Sequence, residues 1–159
     1  MLKRTTIVCA VAILALGACA SVPQATTITD TAARTPQLST LSRLINEAGL
    51  AETLRGAGPY TVFAPSDEAF KAVPAETMAK LAADKEMLRS VLSYHVLAGR
   101  VNADAVKNGN AKTVQGATVA LSRAGTFVTV EDAVVQTPDL AATNGVIHIV
   151  DSVLMPPRK

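Results

Sequence analysis

Thr61-Val62-Phe63-Ala64-Pro65-Ser66-Asp67-Glu68-Ala69-Phe70 passes from strand to helix within one short run. Val62 and Phe63 are apolar and suit a pleated, half-buried sheet. Pro65 lacks the N–H that a ladder needs, so the strand stops there. The Ser66 hydroxyl can accept a hydrogen bond from an amide of the next turn, which starts a helix. Phe70 on that helix packs back toward the strand. The run is therefore scaffold, with Phe63, Pro65, Ser66, Asp67 and Phe70 as its structural positions.

Upstream of this run the pattern is helical. Leu38, Leu41, Leu44, Ile45 and Ala48 recur at helical spacing before the stop at Gly49, and Ala51 to Arg55 reads as a second piece. Gly56-Ala57-Gly58-Pro59 breaks it ahead of the strand at Tyr60 to Phe63. Downstream, Pro74 suits the first position of a helix to about Leu81. Asp84 caps a third helix whose buried stripe is Met87, Leu88, Val91 and Leu92. After Tyr94 the texture turns strand-like. Short β-rich runs at Tyr94 to Leu97, Lys112 to Val114, Thr118 to Leu121, Thr126 to Val130 and Ala133 to Gln136 are separated by signals such as Asn108-Gly109 and Ala124-Gly125, which predicts antiparallel hairpins. Val146 to Val150 is apolar on both faces, as expected of a central strand covered on both sides.

The first residues read as a leader. Met1 to Arg4 are positive, Thr5 to Leu16 are apolar, and Leu16-Gly17-Ala18-Cys19 is a small-residue cleavage site ending in cysteine. The apolar run covers about twelve residues where a spanning helix needs roughly 20. The site resembles the lipobox of bacterial lipoproteins, which implies that Cys19 becomes the first mature residue and carries acyl chains; several chains anchor where one does not. By the same resemblance, Ala20 favours the outer membrane, with the periplasmic or surface face undecided. A soluble exported protein cut near Ala18 is the alternative. The organisation expected is a lipoprotein signal peptide at 1–18, a lipidated cysteine and short tether at 19–27, and one globular domain at 28–156. Fully extended, the eight residues Ala20 to Thr27 span at most about 28 Å.

The 159-residue chain has 15 bases and 13 acids. Lys3 and Arg4 leave with the leader, so the mature part is neutral. It carries no basic run to neutralise phosphates, which argues against nucleic acid as a partner. Cys9 leaves with the leader and Cys19 is the lipidation residue. The mature domain therefore has no thiol for disulfides, metal or nucleophilic catalysis.

The Thr61–Phe70 run resembles the first signature block of fasciclin-like (FAS1) domains. Gly145-Val146-Ile147-His148-Ile149-Val150-Asp151-Ser152-Val153-Leu154 resembles the second, and Tyr94-His95 between them matches the family's Tyr-His motif. The resemblance spans about Thr27 to Pro156. It implies an α+β fold, a wedge of two mostly antiparallel β-sheets with a cluster of N-terminal and central helices. Early helices followed by hairpins agree with it.

The resemblance also singles out residues. Tyr94 and His95 correspond to a site associated with fold integrity and, in animal members, with adhesion; both readings stay open. A hydrogen bond from His95 to the Pro65-Ser66-Asp67 turn is the expected structural role. Pro138-Asp139-Leu140 resembles the Pro-Asp-Ile type motif that animal FAS1 domains present to integrins, against the alternative that Asp139 caps a turn after Pro138. His148, between Val146 and Val150 on one strand face, reads as a satisfied core or near-core histidine rather than a ligand.

Enzymatic readings find little support. Two histidines, without a pair at ligand spacing, are too few for an ordinary zinc site. Ser66 lies in no Gly-x-Ser-x-Gly elbow. Gly56-Ala57-Gly58 precedes a strand and lacks the third glycine of a dinucleotide loop. No cofactor or metal is expected. Two roles remain: an envelope module for adhesion or protein–protein contact, binding a protein or surface polymer, and a periplasm-facing lipoprotein holding a small ligand or envelope partner. The aromatics fall largely in expected core strands or motif positions, which leaves few for a stacking platform. An exposed apolar patch favours the first role and a deep closed pocket the second.

Overall fold

The computed structural model describes residues 26–157. The expected leader, Cys19 and most of the tether lie outside them. Six helices come early: α1 Ile28–Arg34, α2 Ser39–Glu47, α3 Ala51–Arg55, α4 Asp67–Ala72, α5 Ala75–Ala83 and α6 Lys85–Tyr94. Seven strands, β1 Tyr60–Pro65, β2 Val96–Ala98, β3 Gly109–Lys112, β4 Thr118–Ala124, β5 Phe127–Val130, β6 Ala133–Ala142 and β7 Gly145–Val150, make the sheet. The class is the expected α+β.

Helix ends follow local chemistry. Ser66 Oγ accepts the Ala69 amide at 3.2 Å, and Asp84 Oδ1 accepts those of Glu86 and Met87 at 2.9 and 3.0 Å, so both caps stand where the sequence put them. Pro74 precedes α5 as its N-cap instead of opening it. Helix α1 opens the globular region without an apolar period of its own to announce it. Its signal is a capping box in which Thr27 and Asp30 bond reciprocally.

Strand order is β2-β1-β7-β6-β5-β4-β3. β7 is central and fully buried, parallel to β1 and antiparallel to β6. The two expected sheets share β6, whose first residues, Ala133 and Val134, pair with β5 and which pairs with β7 from Val135 to Ala142. The ends of the order also meet: Leu97 bridges Thr113, and Val114 N–H donates to Val96 O at 2.8 Å. The strand expected at Lys112 to Val114 is thus displaced. β3 begins at Gly109, and Thr113-Val114 instead close the sheet onto β2.

Side chains alternate between two cores. Val62, Ala64, Ile147 and Ile149 face the helices, with Leu41, Ile45, Leu88 and Leu92. Phe63 and Val150 face the inside of the closed sheet, with Tyr94, Leu97, Val119 and Val130. β1 and β7 are the common wall.

Candidate functional site

Tyr94 and His95 end α6, and the helix fixes both. The Tyr94 hydroxyl lies 3.2 Å from Thr118 O and 3.4 Å from Glu131 Oε1, tying α6 to β4 and the β5–β6 turn. Burial, and then the Glu131 charge, push its pKa up. The buried His95 ring is 2.8 Å from Val91 O through Nδ1 and 2.9 Å from the Leu154 amide through Nε2. A carbonyl only accepts and an amide only donates, so Nδ1 carries the proton and Nε2 accepts. Burial lowers its pKa to about 4, against the opposing hydrogen bond to Val91.

His95 therefore does not bond the Pro65-Ser66-Asp67 turn. Its ring joins α6 to the segment after β7, and its backbone carbonyl accepts the Phe63 amide at 2.9 Å. The turn is served otherwise. Asp67 accepts Ser39 Oγ–H at 2.6 Å and the Thr40 amide at 2.9 Å, covering donors at the start of α2. Burial pushes the Asp67 pKa up, but those hydrogen bonds outweigh it and hold the carboxyl low. Phe70 packs in the helix-side core.

His148 carries the opposite tautomer. Nδ1 accepts the Asp139 amide at 3.1 Å, so Nε2–H donates to Val101 O at 2.8 Å. The ring stacks on Phe63 with centroids 5.5 Å apart. Burial lowers its pKa; the Val101 bond and the Asp139 charge oppose that.

Pro138-Asp139-Leu140 forms no turn between strands. It lies inside β6, where the pairing with β7 shifts register twice between Val135 and Leu140, the mark of bulges. Asp139 sits at φ 57°, and its Oδ1 accepts the Ala103 amide at 2.9 Å. Pro138 and Asp139 are exposed, and half-buried Leu140 packs on the helix-side core. The structure thus brings Asp139 to His148 and joins both histidines through Phe63, while Tyr94 reaches toward Glu131.

The sequence reading passed over Asn144. Its Oδ1 accepts the Ile28 amide at 3.0 Å, and its Nδ2 donates to Leu54 O at 2.5 Å and Gly56 O at 3.1 Å. One side chain so pins α1 and α3 to the β6–β7 turn. The dipeptide Asn144-Gly145 is the turn signal that could have exposed it. Gly145 has its own reason to be glycine: a Cβ there would collide with Tyr60 O.

Two depressions mark the described surface. A small one of about 60 Å³ involves Thr29, Asp30 and Arg55. An open cleft of about 330 Å³ is lined by Gly58, Pro59, Arg100, Thr143, Asn144 and Gly145 among others. Phe127, expected in a core strand, is 67% exposed beside the β4–β5 turn, and Val114, Met87 and Met155 are also exposed. Among the described residues no three His, Cys, Asp or Glu side chains are grouped to hold a metal, and no helix is long and apolar enough to cross a membrane.

This α+β fold is one met in known proteins. The Fasciclin domain model matches residues 36–156, and the chain belongs to that family. It is 38% identical over 140 residues to protein sll1483 of Synechocystis, covering 87% of this chain and 78% of that one. It is 35% identical over 133 residues to the cell surface glycolipoprotein MPB83 of Mycobacterium bovis, covering 80% of this chain and 60% of that relative. Its fold is similar to that of a FAS1 domain pair from the insect cell adhesion molecule Fasciclin I, with a TM-score of 0.64 at 16% identity over 82% of this chain and 51% of the other.

Proposed function

We propose that the chain is a lipid-anchored cell-envelope module that mediates adhesion or protein–protein contact at the bacterial surface, not an enzyme. Phe127 carries this reading. A large aromatic 67% exposed beside a hairpin turn is open to a partner, and aromatics buried on binding anchor protein interfaces. The site residues support binding over catalysis: both nitrogens of His95 and of His148 are engaged, so neither ring offers a free base. The anchor rests on Leu16-Gly17-Ala18-Cys19, and Ala20 favours the outer membrane. A relative named a cell surface glycolipoprotein agrees with it.

The second reading is a periplasm-facing lipoprotein that holds a small ligand or envelope partner; the cleft at Arg100 and Asn144 is its only candidate seat among the depressions described, and it is open where that role calls for a deep closed pocket. Protease treatment of intact cells expressing the tagged chain separates the two, with Cys19→Ala as the control for anchoring. Loss of the domain from intact cells, together with a discrete adduct from a photo-crosslinker at position 127, supports surface contact. Cleavage only after the outer membrane is opened defeats it in favour of the periplasmic role.

A further inference from the structure

The chain joins the described fold at a fixed place. The Thr143 amide donates to Thr26 O at 3.0 Å and Thr143 Oγ1 donates to the same oxygen at 3.3 Å. Thr143 and Asn144 also line the open cleft, so that cleft lies beside the chain's exit.

Arg100 in its wall is held ready. The buried Thr61 hydroxyl donates to Gly99 O at 2.7 Å and accepts the Val101 amide at 2.8 Å, clamping the backbone on both sides of Arg100. Gly99 takes φ 114°, open to glycine, and its amide donates to Pro59 O at 3.0 Å. The Arg100 side chain is exposed and makes no hydrogen bond or ion pair among the described residues. Lys85, Lys107 and Lys112 are also unpaired but line neither depression. No acid lines the open cleft, so its charge is uncompensated.

Distance supplies the partner. Seven chain steps separate Cys19 from Thr26, at most about 25 Å when extended. A domain of this size has a radius of gyration of about 14 Å and measures about 36 Å across. The tether is too short to turn the Thr26 end away from the leaflet. We infer that the cleft beside the chain's exit faces that leaflet and that Arg100 binds a lipid headgroup phosphate in it, an inference that rests on the lipid-anchored reading. A guanidinium pairs two donors with a phosphate. One basic residue at an anionic surface shifts such an equilibrium about fivefold.

The test uses the full lipidated protein in vesicles of mixed phosphatidylglycerol and phosphatidylcholine that contain a headgroup quencher. Fluorophores are placed by Ala57→Cys, in the cleft wall, or Asp132→Cys, in the β5–β6 turn just before β6. The label at 57 is quenched more than the label at 132, and adding Arg100→Glu shifts that facing equilibrium about fivefold or more toward equality. Equal quenching at both positions, or no effect of Arg100→Glu, overturns the inference. So does a label at 57 that answers inorganic phosphate in neutral vesicles but ignores anionic lipid, which marks a free-phosphate site. Failure of the protein to float with vesicles any better than Cys19→Ala strikes the anchored reading itself.

Discussion

His95 grips Val91 and Leu154 through opposite ring nitrogens, and protonating the ring would turn the Nε2 acceptor into a donor facing the Leu154 amide. Its pKa falls from 6.5 to about 4 on folding. The unfolded chain therefore binds the proton more readily, and stability is fully present above pH 6.5 and lost as pH falls toward 4. The shift corresponds to roughly 3 kcal/mol. His148 is lowered as well and adds to the slope in the same sense. His95→Gln should cost about 1–3 kcal/mol at pH 7, since it disturbs buried partners. Urea denaturation of both proteins from pH 7 to pH 4 should show the gap narrowing; parallel curves would refute the role given to the ring. Tyr94-His95 marked the position in the sequence while leaving a fold role and a recognition role both open. The partner of His95 was not legible, because Leu154 is distant in sequence and only the packed sheet brings it near.

At the scale of elements, β6 is where sequence and structure part. Ala133 to Gln136 announced a strand, and Pro138 argued for its end, yet the strand continues to Ala142 because two bulges absorb the proline and Asp139. Asp139 holds its left-handed backbone with two links, its amide to His148 and its carboxylate to Ala103. Asn tolerates that conformation and keeps an acceptor, whereas Ala does neither. Asp139→Asn should stay within about 0.5 kcal/mol of the parent and Asp139→Ala should lose about 1–3 kcal/mol in thermal or urea unfolding. Equal losses would mean that the backbone conformation is not what Asp139 secures. Helices α2, α3, α4 and α6 were legible because periodicity and caps are local signals. α1 was not, being seven residues long with β-branched Ile28, Thr29 and Thr31, and held from outside by Asn144. The edge strand β3 was expected at Lys112 to Val114 and lies at Gly109–Lys112, because Gly109, Asn110 and Lys112 offer no apolar alternation that marks a strand.

Across the whole molecule, β1 and β7 send alternate side chains into two cores, so neither core can empty without unsettling the other. Phe63 illustrates this: its ring stacks on His148 inside the closed sheet, while its neighbours Val62 and Ala64 pack on the helices. The bridge from Leu97 to Thr113 brings the two ends of the sheet together and ties its halves. Unfolding should then be one cooperative event, as single domains of this size commonly show. The chain supplies its own reporters, since it has two tyrosines and no tryptophan. Tyr60 packs against the helix-side core and Tyr94 lies within the closed-sheet core. In Tyr94→Phe the remaining fluorescence follows the first core, and in Tyr60→Phe it follows the second. Each variant has its own stability, because Tyr94→Phe gives up the hydroxyl's contacts with Thr118 and Glu131, so the comparison is made within a variant. The tyrosine signal and far-UV circular dichroism should share a urea midpoint in both. A fluorescence midpoint displaced from the dichroism midpoint in either variant would show the two cores melting separately, and the shared wall of β1 and β7 would then not couple them.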